Sequence, residues 1–198
     1  MKFIVIEGDN GTGKDTQALK LSEKLGCDVI TNYDDMKIFN KTAKGFSGKE
    51  RVKKFLQYCE LCSKYASSSE NSIVVRYWVS TLAAAYADNI FTFDEVLKLQ
   101  EEFCSNMKKP DIIICLWCDF DNRIKRINDR HSDDFDDVTE NRSVKYAWFL
   151  NQMKERYNLN WVDIDTTGKT IDEVFDEILH QVNSLNINSD EMHGGRKK

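Results

Sequence analysis

Short β-branched and aromatic runs alternate along this chain with longer stretches whose apolar residues recur every three or four positions. Lys2 to Ile6 reads as a buried strand, and from Lys14 the period changes so that Ala18, Leu21 and Leu25 share a helical stripe that stops at Gly26. The alternation continues with a strand at Asp28 to Thr31, a strongly periodic helix at Glu50 to Ser67, a strand at Ile73 to Val75, and helices near residues 80–88 and 93–107. Pro110 precedes a fourth strand at Asp111 to Trp117, and helices at Asp121 to Arg130 and about 142–157 come next. Trp161 to Ile164 is a fifth strand and Thr170 to Leu185 a closing helix. Residues 32–48 are polar, carry breakers at Gly45 and Gly48, and read as a ligand-facing loop or short helix. Strands that are apolar throughout and separated by helices predict an α/β fold, a five-stranded parallel sheet covered on both faces. With no repeat and no linker, residues 1–187 form one domain, and the polar, glycine-containing tail from about Asn188 to Lys198 reads as disordered.

Composition narrows the class. Of 198 residues, 41% are hydrophobic and 31% charged, ordinary values for a globular protein. The net charge of −5 argues against a protein that coats a nucleic acid polymer or an anionic membrane, so any anionic ligand must be met by local groups. No apolar run approaches the roughly 18–20 residues of a membrane span. Phe3 to Ile6 is too short for a signal peptide and ends at Glu7, which makes a cytoplasmic location the expectation. Cys59-x-x-Cys62 and Cys115-x-x-Cys118 have the outward form of a zinc site. The first pair lies in a helical pattern and the second in an apolar strand, where an odd spacing sends the thiols to opposite faces. They read as small core residues in a reducing compartment.

The chemistry is concentrated near the start. Gly8-Asp9-Asn10-Gly11-Thr12-Gly13-Lys14 satisfies G-x-x-x-x-G-K between a buried strand and an amphipathic helix. Its glycines allow the loop to turn tightly and bring N–H groups onto phosphate oxygens, and the positive end of the helix dipole faces the same anion. Lys14 then reaches the terminal phosphates as a point charge. This is the phosphate-binding loop of P-loop NTPases, so a three-layer P-loop fold and a nucleoside triphosphate ligand are expected. The loop extends as phosphate contacts through Asp15 and Thr16. The motif ordinarily ends in a hydroxyl residue that ligates magnesium, and here Asp15 stands in that place. A carboxylate is a good hard ligand, so Asp15 is the candidate for the Mg²⁺ that accompanies ATP.

The remainder resembles the thymidylate kinase family of nucleoside monophosphate kinases over about residues 1–185. The resemblance is carried by Phe3-Ile4-Val5-Ile6-Glu7-Gly8, Gly13-Lys14-x-Thr16-Gln17, Arg76-Tyr77-x-x-Ser80-Thr81, Arg126-x-x-x-Arg130 with acidic residues after it, and Val162-Asp163-Ile164-Asp165. The stretch Arg76 to Thr81 is also similar to thymidylate-kinase-like UMP/CMP kinases. The resemblance implies transfer of the ATP γ-phosphoryl to a pyrimidine (deoxy)nucleoside monophosphate such as dTMP, with magnesium bridging the phosphates. It also implies a homodimer, through the helices at 50–67 and 93–107. It implies that Arg76 contacts the acceptor phosphate and that a lid at about 123–140 supplies a catalytic arginine, Arg126 or Arg130, beside Lys14. Arg123, Arg126 and Arg130 do share one helical face within about 60°. Ser80, Thr81 and Tyr86 are expected on the acceptor side, Tyr86 being equally readable as core. Asn10 occupies the position where the family has an aspartate at the acceptor sugar.

Three departures from the family pattern stand out. Val75-Arg76 replaces Asp-Arg at the end of strand three, Asn32-Tyr33-Asp34-Asp35 replaces a Glu-Pro-Gly-type segment, and Asp15 replaces the hydroxyl residue. The first and third belong together, since strand three beside strand one brings positions 15 and 75 toward one metal, where two carboxylates could not both ionise cheaply. Asp15 is expected to have taken over the carboxylate role that the family gives to position 75. Two other readings stay open. A deoxynucleoside kinase shares the loop and the basic helix but usually carries a carboxylate base where this chain has Val75. A degenerate relative would bind nucleotide without turnover.

Overall fold

The three inner strands are apolar on both sides because both sides are covered, whereas the edge strands carry exposed aspartates. The computed structural model of the chain describes residues 2–129 and 139–193, with side chains as far as residue 185. Five strands, β1 (Lys2–Gly8), β2 (Asp28–Val29), β3 (Asn71–Val75), β4 (Ile112–Trp117) and β5 (Trp161–Asp165), form one parallel sheet in the order β2-β3-β1-β4-β5. Alternate residues of β1 point to opposite faces. Phe3 and Val5 enter one core with Val74, Ile113 and Cys115, while Ile4 and Ile6 enter the other with Ile73, Ile112 and Ile114.

The second core is closed by α1 (Lys14–Leu25), through Ala18 and Leu21, and by α8 (Ile171–His193), through Val174, Ile178 and Val182. The first is closed by α3 (Gly48–Ser68), α4 (Trp78–Ala87), α5 (Phe93–Leu99) and α7 (Glu140–Arg156). The remaining helices are α2 (Asp34–Lys44) and α6 (Phe120–Asn128). Several helix starts follow from local chemistry. Thr92 and Glu95 form a reciprocal capping box on α5, and the Asp119 and Thr139 side chains accept the Asn122 and Arg142 N–H groups at the starts of α6 and α7.

The expected elements are present with four differences. The edge strand β2 is only Asp28–Val29, because it pairs on one side alone and Ile30–Asn32 turns away as a 3-10 helix. The stretch read as a loop or short helix contains α2, a helix of eleven residues that ends at Gly45 and buries Met36 and Ala43. The helix expected at 93–107 is α up to Leu99 and continues as a wider π-type turn at Gln100–Cys104. The closing helix does not stop at Leu185; it runs to His193, since the first helix breakers after Ile171 are Gly194 and Gly195. Of the six cysteines, Cys59, Cys62, Cys104 and Cys115 are buried, while Cys27 and Cys118 are only half-buried. Burial pushes the Cys62 and Cys104 thiols up to about 12, so they pack as apolar groups. Among the described residues no helix is long and apolar enough to cross a membrane.

Candidate active site

All five strands run the same way, so their C-terminal ends share one edge of the sheet, the edge where open α/β sheets bind ligands. The loop from Gly8 to Lys14 leaves β1 at that edge. Gly8 has φ of +133°, and a Cβ on it would lie 2.4 Å from the Leu116 carbonyl oxygen of β4. Gly11 has φ of +81°, and a Cβ there would lie 2.9 Å from the Arg123 carbonyl oxygen. Only glycine fits either place, because φ is positive and the β4 and α6 backbones leave no room for a Cβ.

Lys14 is buried against its own loop. Its Nζ donates to the Asp9 carbonyl at 2.5 Å and to Thr12 Oγ1 at 3.5 Å, and the Thr12 hydroxyl donates to the same carbonyl at 3.0 Å. Burial first, and then the Arg76 guanidinium, lower the Lys14 ammonium to about 7. A polyphosphate laid on the loop would restore the charge. ATP binding at pH 8 should therefore take up close to one proton, whereas at pH 6, where Lys14 is already protonated, its share should vanish. Calorimetric titration at pH 8 in two buffers of different ionisation enthalpy measures the uptake directly. A value near zero would show that Lys14 is charged before the nucleotide arrives.

The Asp9 side chain points inward. Arg123 Nη2 donates to Asp9 Oδ2 at 2.7 Å and Arg123 Nε to the Asn10 carbonyl at 2.8 Å; Arg123 and Asp9 are 5% and 4% exposed. Arg142, from the first turn of α7, reaches Asp9 Oδ1 at 3.4 Å and Asp88 at 2.6 Å. Burial raises the Asp9 carboxyl, but Arg123, the Asn10 N–H and Arg142 outweigh it and hold Asp9 below the usual carboxylate range. Arg126 donates to Thr166 Oγ1 at 3.0 Å, to the Thr166 carbonyl at 2.8 Å and to the Gly11 carbonyl at 3.4 Å. Thr166 is tied in turn to the Trp117 carbonyl of β4. In this arrangement Arg123 and Arg126 brace the loop from beneath. Arg130 and the acidic residues 131–137 lie outside the described residues.

Arg76 follows β3, beside the loop. Its Nη2 donates to Asn10 Oδ1 and its Nη1 to the Tyr146 hydroxyl at 3.4 Å, and that hydroxyl donates to the Gly8 carbonyl at 3.3 Å. The two residues expected at the acceptor, Asn10 and Arg76, are thus joined. The Ser80 and Thr81 hydroxyls both donate to the Tyr77 carbonyl, at 3.1 and 3.2 Å. Tyr86 is half-buried and packs in an aromatic cluster with Phe93, Trp148 and Phe149. Asp15 and Thr16 are exposed in the first turn of α1. Val75 packs against the core closed by α1 and α8, and Asp15 lies in the first turn of α1.

Sequence reasoning missed Glu7, Arg142 and Tyr146. Arg142 and Tyr146 are spaced i, i+4 on α7 and share its inner face with Phe149, Leu150 and Met153. A polar pair at the head of an apolar stripe was the available signal. Glu7 follows the apolar run Phe3 to Ile6 in β1, and a carboxylate buried there is costly enough to have been a signal.

A glycine loop between a buried parallel strand and a helix start, braced and faced by arginines from three other segments, defines the class: a P-loop nucleotide kinase. Residues 31–178 match the model of the thymidylate kinase family, and the chain belongs to that family. It is a phosphotransferase of the nucleoside monophosphate kinase type. The chain is similar to a probable thymidylate kinase of Methanococcus maripaludis strain C7, at 29% identity over 198 residues, covering 91% of this chain and 94% of that one. A probable thymidylate kinase of Methanocaldococcus jannaschii is 25% identical over 203 residues, covering 92% and 96%. The solved structure of thymidylate kinase from Candida albicans superposes with a TM-score of 0.69 at 19% identity, covering 92% of this chain and 91% of that one. A structure of deoxyadenosine kinase from M. mycoides superposes with a TM-score of 0.71 at 18% identity, covering 92% and 99%. Identities this low speak to the fold.

Proposed function

We propose that the chain transfers the γ-phosphoryl group of ATP to a pyrimidine (deoxy)nucleoside monophosphate, dTMP first among them, giving ADP and the diphosphate. The observation that carries this reading is the pairing of Arg76 with Asn10, which sets a guanidinium for an acceptor phosphate directly beside the donor cradle. Phosphoryl transfer needs two anions positioned and their charge neutralised more than it needs covalent chemistry. Lys14 and the loop N–H groups hold the donor, and Arg76 holds the acceptor. Arg123 and Arg126 keep the loop in shape. An acceptor phosphate oxygen is already a nucleophile, so Val75 in place of a carboxylate base is no obstacle to a nucleotide acceptor, though it would be to a nucleoside.

Mg²⁺ belongs to the same reading. Among the described residues no group of three or more His, Cys, Asp or Glu side chains forms a metal cage. Mg²⁺ does not require one, because it usually keeps several waters and takes one or two carboxylates plus substrate phosphates. One exposed carboxylate at the mouth of the cradle, Asp15, fits that donor set. Bound there, the ion would neutralise charge on the phosphates. The reading also includes a homodimer, as the family resemblance implies.

Coupled ADP production with ATP and magnesium tests it, screening dTMP, dUMP, UMP, CMP and dCMP with the nucleosides as controls. Turnover with a monophosphate and none with its nucleoside is the expected result. Turnover of a nucleoside instead would make the chain a nucleoside kinase. ATP binding without any phosphorylated acceptor would make it a nucleotide-binding protein that has lost catalysis.

A further inference from the structure

Glu7 is fully buried near the end of β1, and the proposed phosphoryl transfer gives it no role. Its Oε1 accepts the backbone N–H of Tyr77 at 3.0 Å, while its Oε2 is buried with no hydrogen-bond partner. The residue before Tyr77 is Arg76, whose φ of +64° places a non-glycine residue in the left-handed region. A backbone of that kind persists only where its surroundings over-determine it, and such positions cluster at functional sites. Two hydrogen bonds flank this one. The Arg76 N–H donates to the Ile6 carbonyl at 3.0 Å, and the Tyr77 N–H donates to Glu7. The first is a main-chain bond that any residue at position 6 would supply. The second depends on the side chain at position 7.

This bend is what turns the Arg76 side chain toward Asn10 and Tyr146. Beyond it the chain is anchored again, since the Tyr77 ring is buried edge-on against Phe3 with centroids 5.4 Å apart, and its hydroxyl donates to the Lys108 carbonyl. Arg76 thus sits on a strained turn between two fixed points, one of them held by Glu7. The groups that act on Glu7, or on which it acts, come from every side: Lys14 of α1, Arg76 itself, Ser80 of α4, Cys59 of α3, Cys115 of β4 and Tyr146 of α7. None of them forms an ion pair with it among the described residues.

We propose that Glu7 is a positioning residue for the acceptor: by accepting the Tyr77 N–H it holds the left-handed turn at Arg76 and so sets where the Arg76 guanidinium meets the acceptor phosphate. This rests on the reading of Arg76 as the acceptor-phosphate arginine. The role needs an oxygen at the right reach more than it needs a charge. Burial, opposed by Ser80, the Tyr77 N–H, Arg76 and Lys14, pushes the Glu7 carboxyl up to about 7, so the site already tolerates the neutral group. Glutamine offers the same carbonyl reach; aspartate keeps the charge but falls one methylene short.

The experiment compares Glu7→Gln, Glu7→Asp and Glu7→Ala in the full chain, reading KM for dTMP and for ATP separately and the equilibrium Kd for dTMP by calorimetry. Glu7→Ala and Glu7→Asp should raise the dTMP KM and Kd by about tenfold or more, with the ATP KM changed less than about threefold. Glu7→Gln should restore the dTMP constants to within about threefold of the parent. Combining Glu7→Ala with Arg76→Met should cost the dTMP Kd no more than Arg76→Met alone, because the two act through one guanidinium. Should Glu7→Ala fail to fold, the Asp and Gln variants decide between reach and charge by themselves. Equal losses toward ATP and dTMP, full additivity with Arg76→Met, or Asp outperforming Gln would each overturn the inference. A parent chain that binds no monophosphate at all overturns the functional reading instead, and does so before any variant is compared.

Discussion

Arg123→Met should lower the stability of the chain by about 3 kcal/mol, seen as a fall in Tm of roughly 6–12 °C. Removing one partner of a buried ion pair costs about 3–5 kcal/mol because the other charge stays behind in a medium that cannot solvate it. Asp9 would be that charge, with Arg123 gone from 2.7 Å and the Asn10 carbonyl left without the Arg123 Nε–H. The low end of the range applies because Arg142 at 3.4 Å and the Asn10 N–H at 2.8 Å still face the carboxylate. The pH dependence carries a definite sign. In the parent, Asp9 is held below its ordinary value, so its contribution is complete above the unfolded carboxylate range and is lost as pH falls below that range and through the lower folded value. In the variant Asp9 loses its strongest counter-charge and its affinity for a proton rises, so the gap between variant and parent should narrow as the pH is lowered toward 4. Denaturant melts at pH 7.5 and 4.5 check this, and Asp9→Asn in the Arg123→Met background should recover part of the loss. An unchanged Tm would mean that Arg123 contributes no more than an exposed arginine.

Asp15→Ser should reduce magnesium-dependent turnover by on the order of 10²- to 10³-fold, although serine is the residue type usual at this place in the motif. The reason lies across the sheet. β1 and β3 are parallel neighbours with Ile6 opposite Val75, and Val75 faces the core that α1 closes, with Asp15 in the first turn of α1. On the proposed reading, Asp15 supplies the carboxylate that the family places at position 75, where this chain has Val75. On that reading, serine there would remove the carboxylate offered to the metal. Adding Val75→Asp to Asp15→Ser should return most of the lost rate, while Val75→Asp alone should hinder it by crowding two carboxylates together. A second readout separates metal binding from catalysis: in Asp15→Ser, the Kd for ATP should lose its magnesium dependence and without magnesium should be unchanged or tighter, one negative charge having been removed. Retention of full turnover by the single variant, or no recovery in the double, would assign the magnesium-side role to another group.

Parts of this protein could be read from adjacent residues because their physics is local. The phosphate cradle is one contiguous segment, and its glycines state their own requirement for positive φ at Gly8 and Gly11. The inner strands of the sheet declared themselves as short apolar runs because both of their faces are buried, and α3 did so through a regular stripe that includes Val52, Leu56, Cys59 and Ala66. By contrast α2 buries only Met36 and Ala43, too few positions for a period to emerge from a polar stretch. The spacing of Arg123 and Arg126 placed them on one helical face, but a spacing does not say what that face meets. Only the packing of α6 against the glycine loop turned it inward, onto Asp9, Gly11 and Thr166. The contacts that arrange the chemistry join distant parts of the chain, such as Arg76 to Asn10 across 66 positions and Arg142 to Asp9 across 133. Glu7 and Tyr77 are likewise 70 residues apart. Secondary structure and the cradle follow from the order of residues because a backbone conformation answers to its immediate neighbours. Which charges share the cradle's mouth depends on which strands lie side by side, and that is settled only when the sheet closes over its two cores.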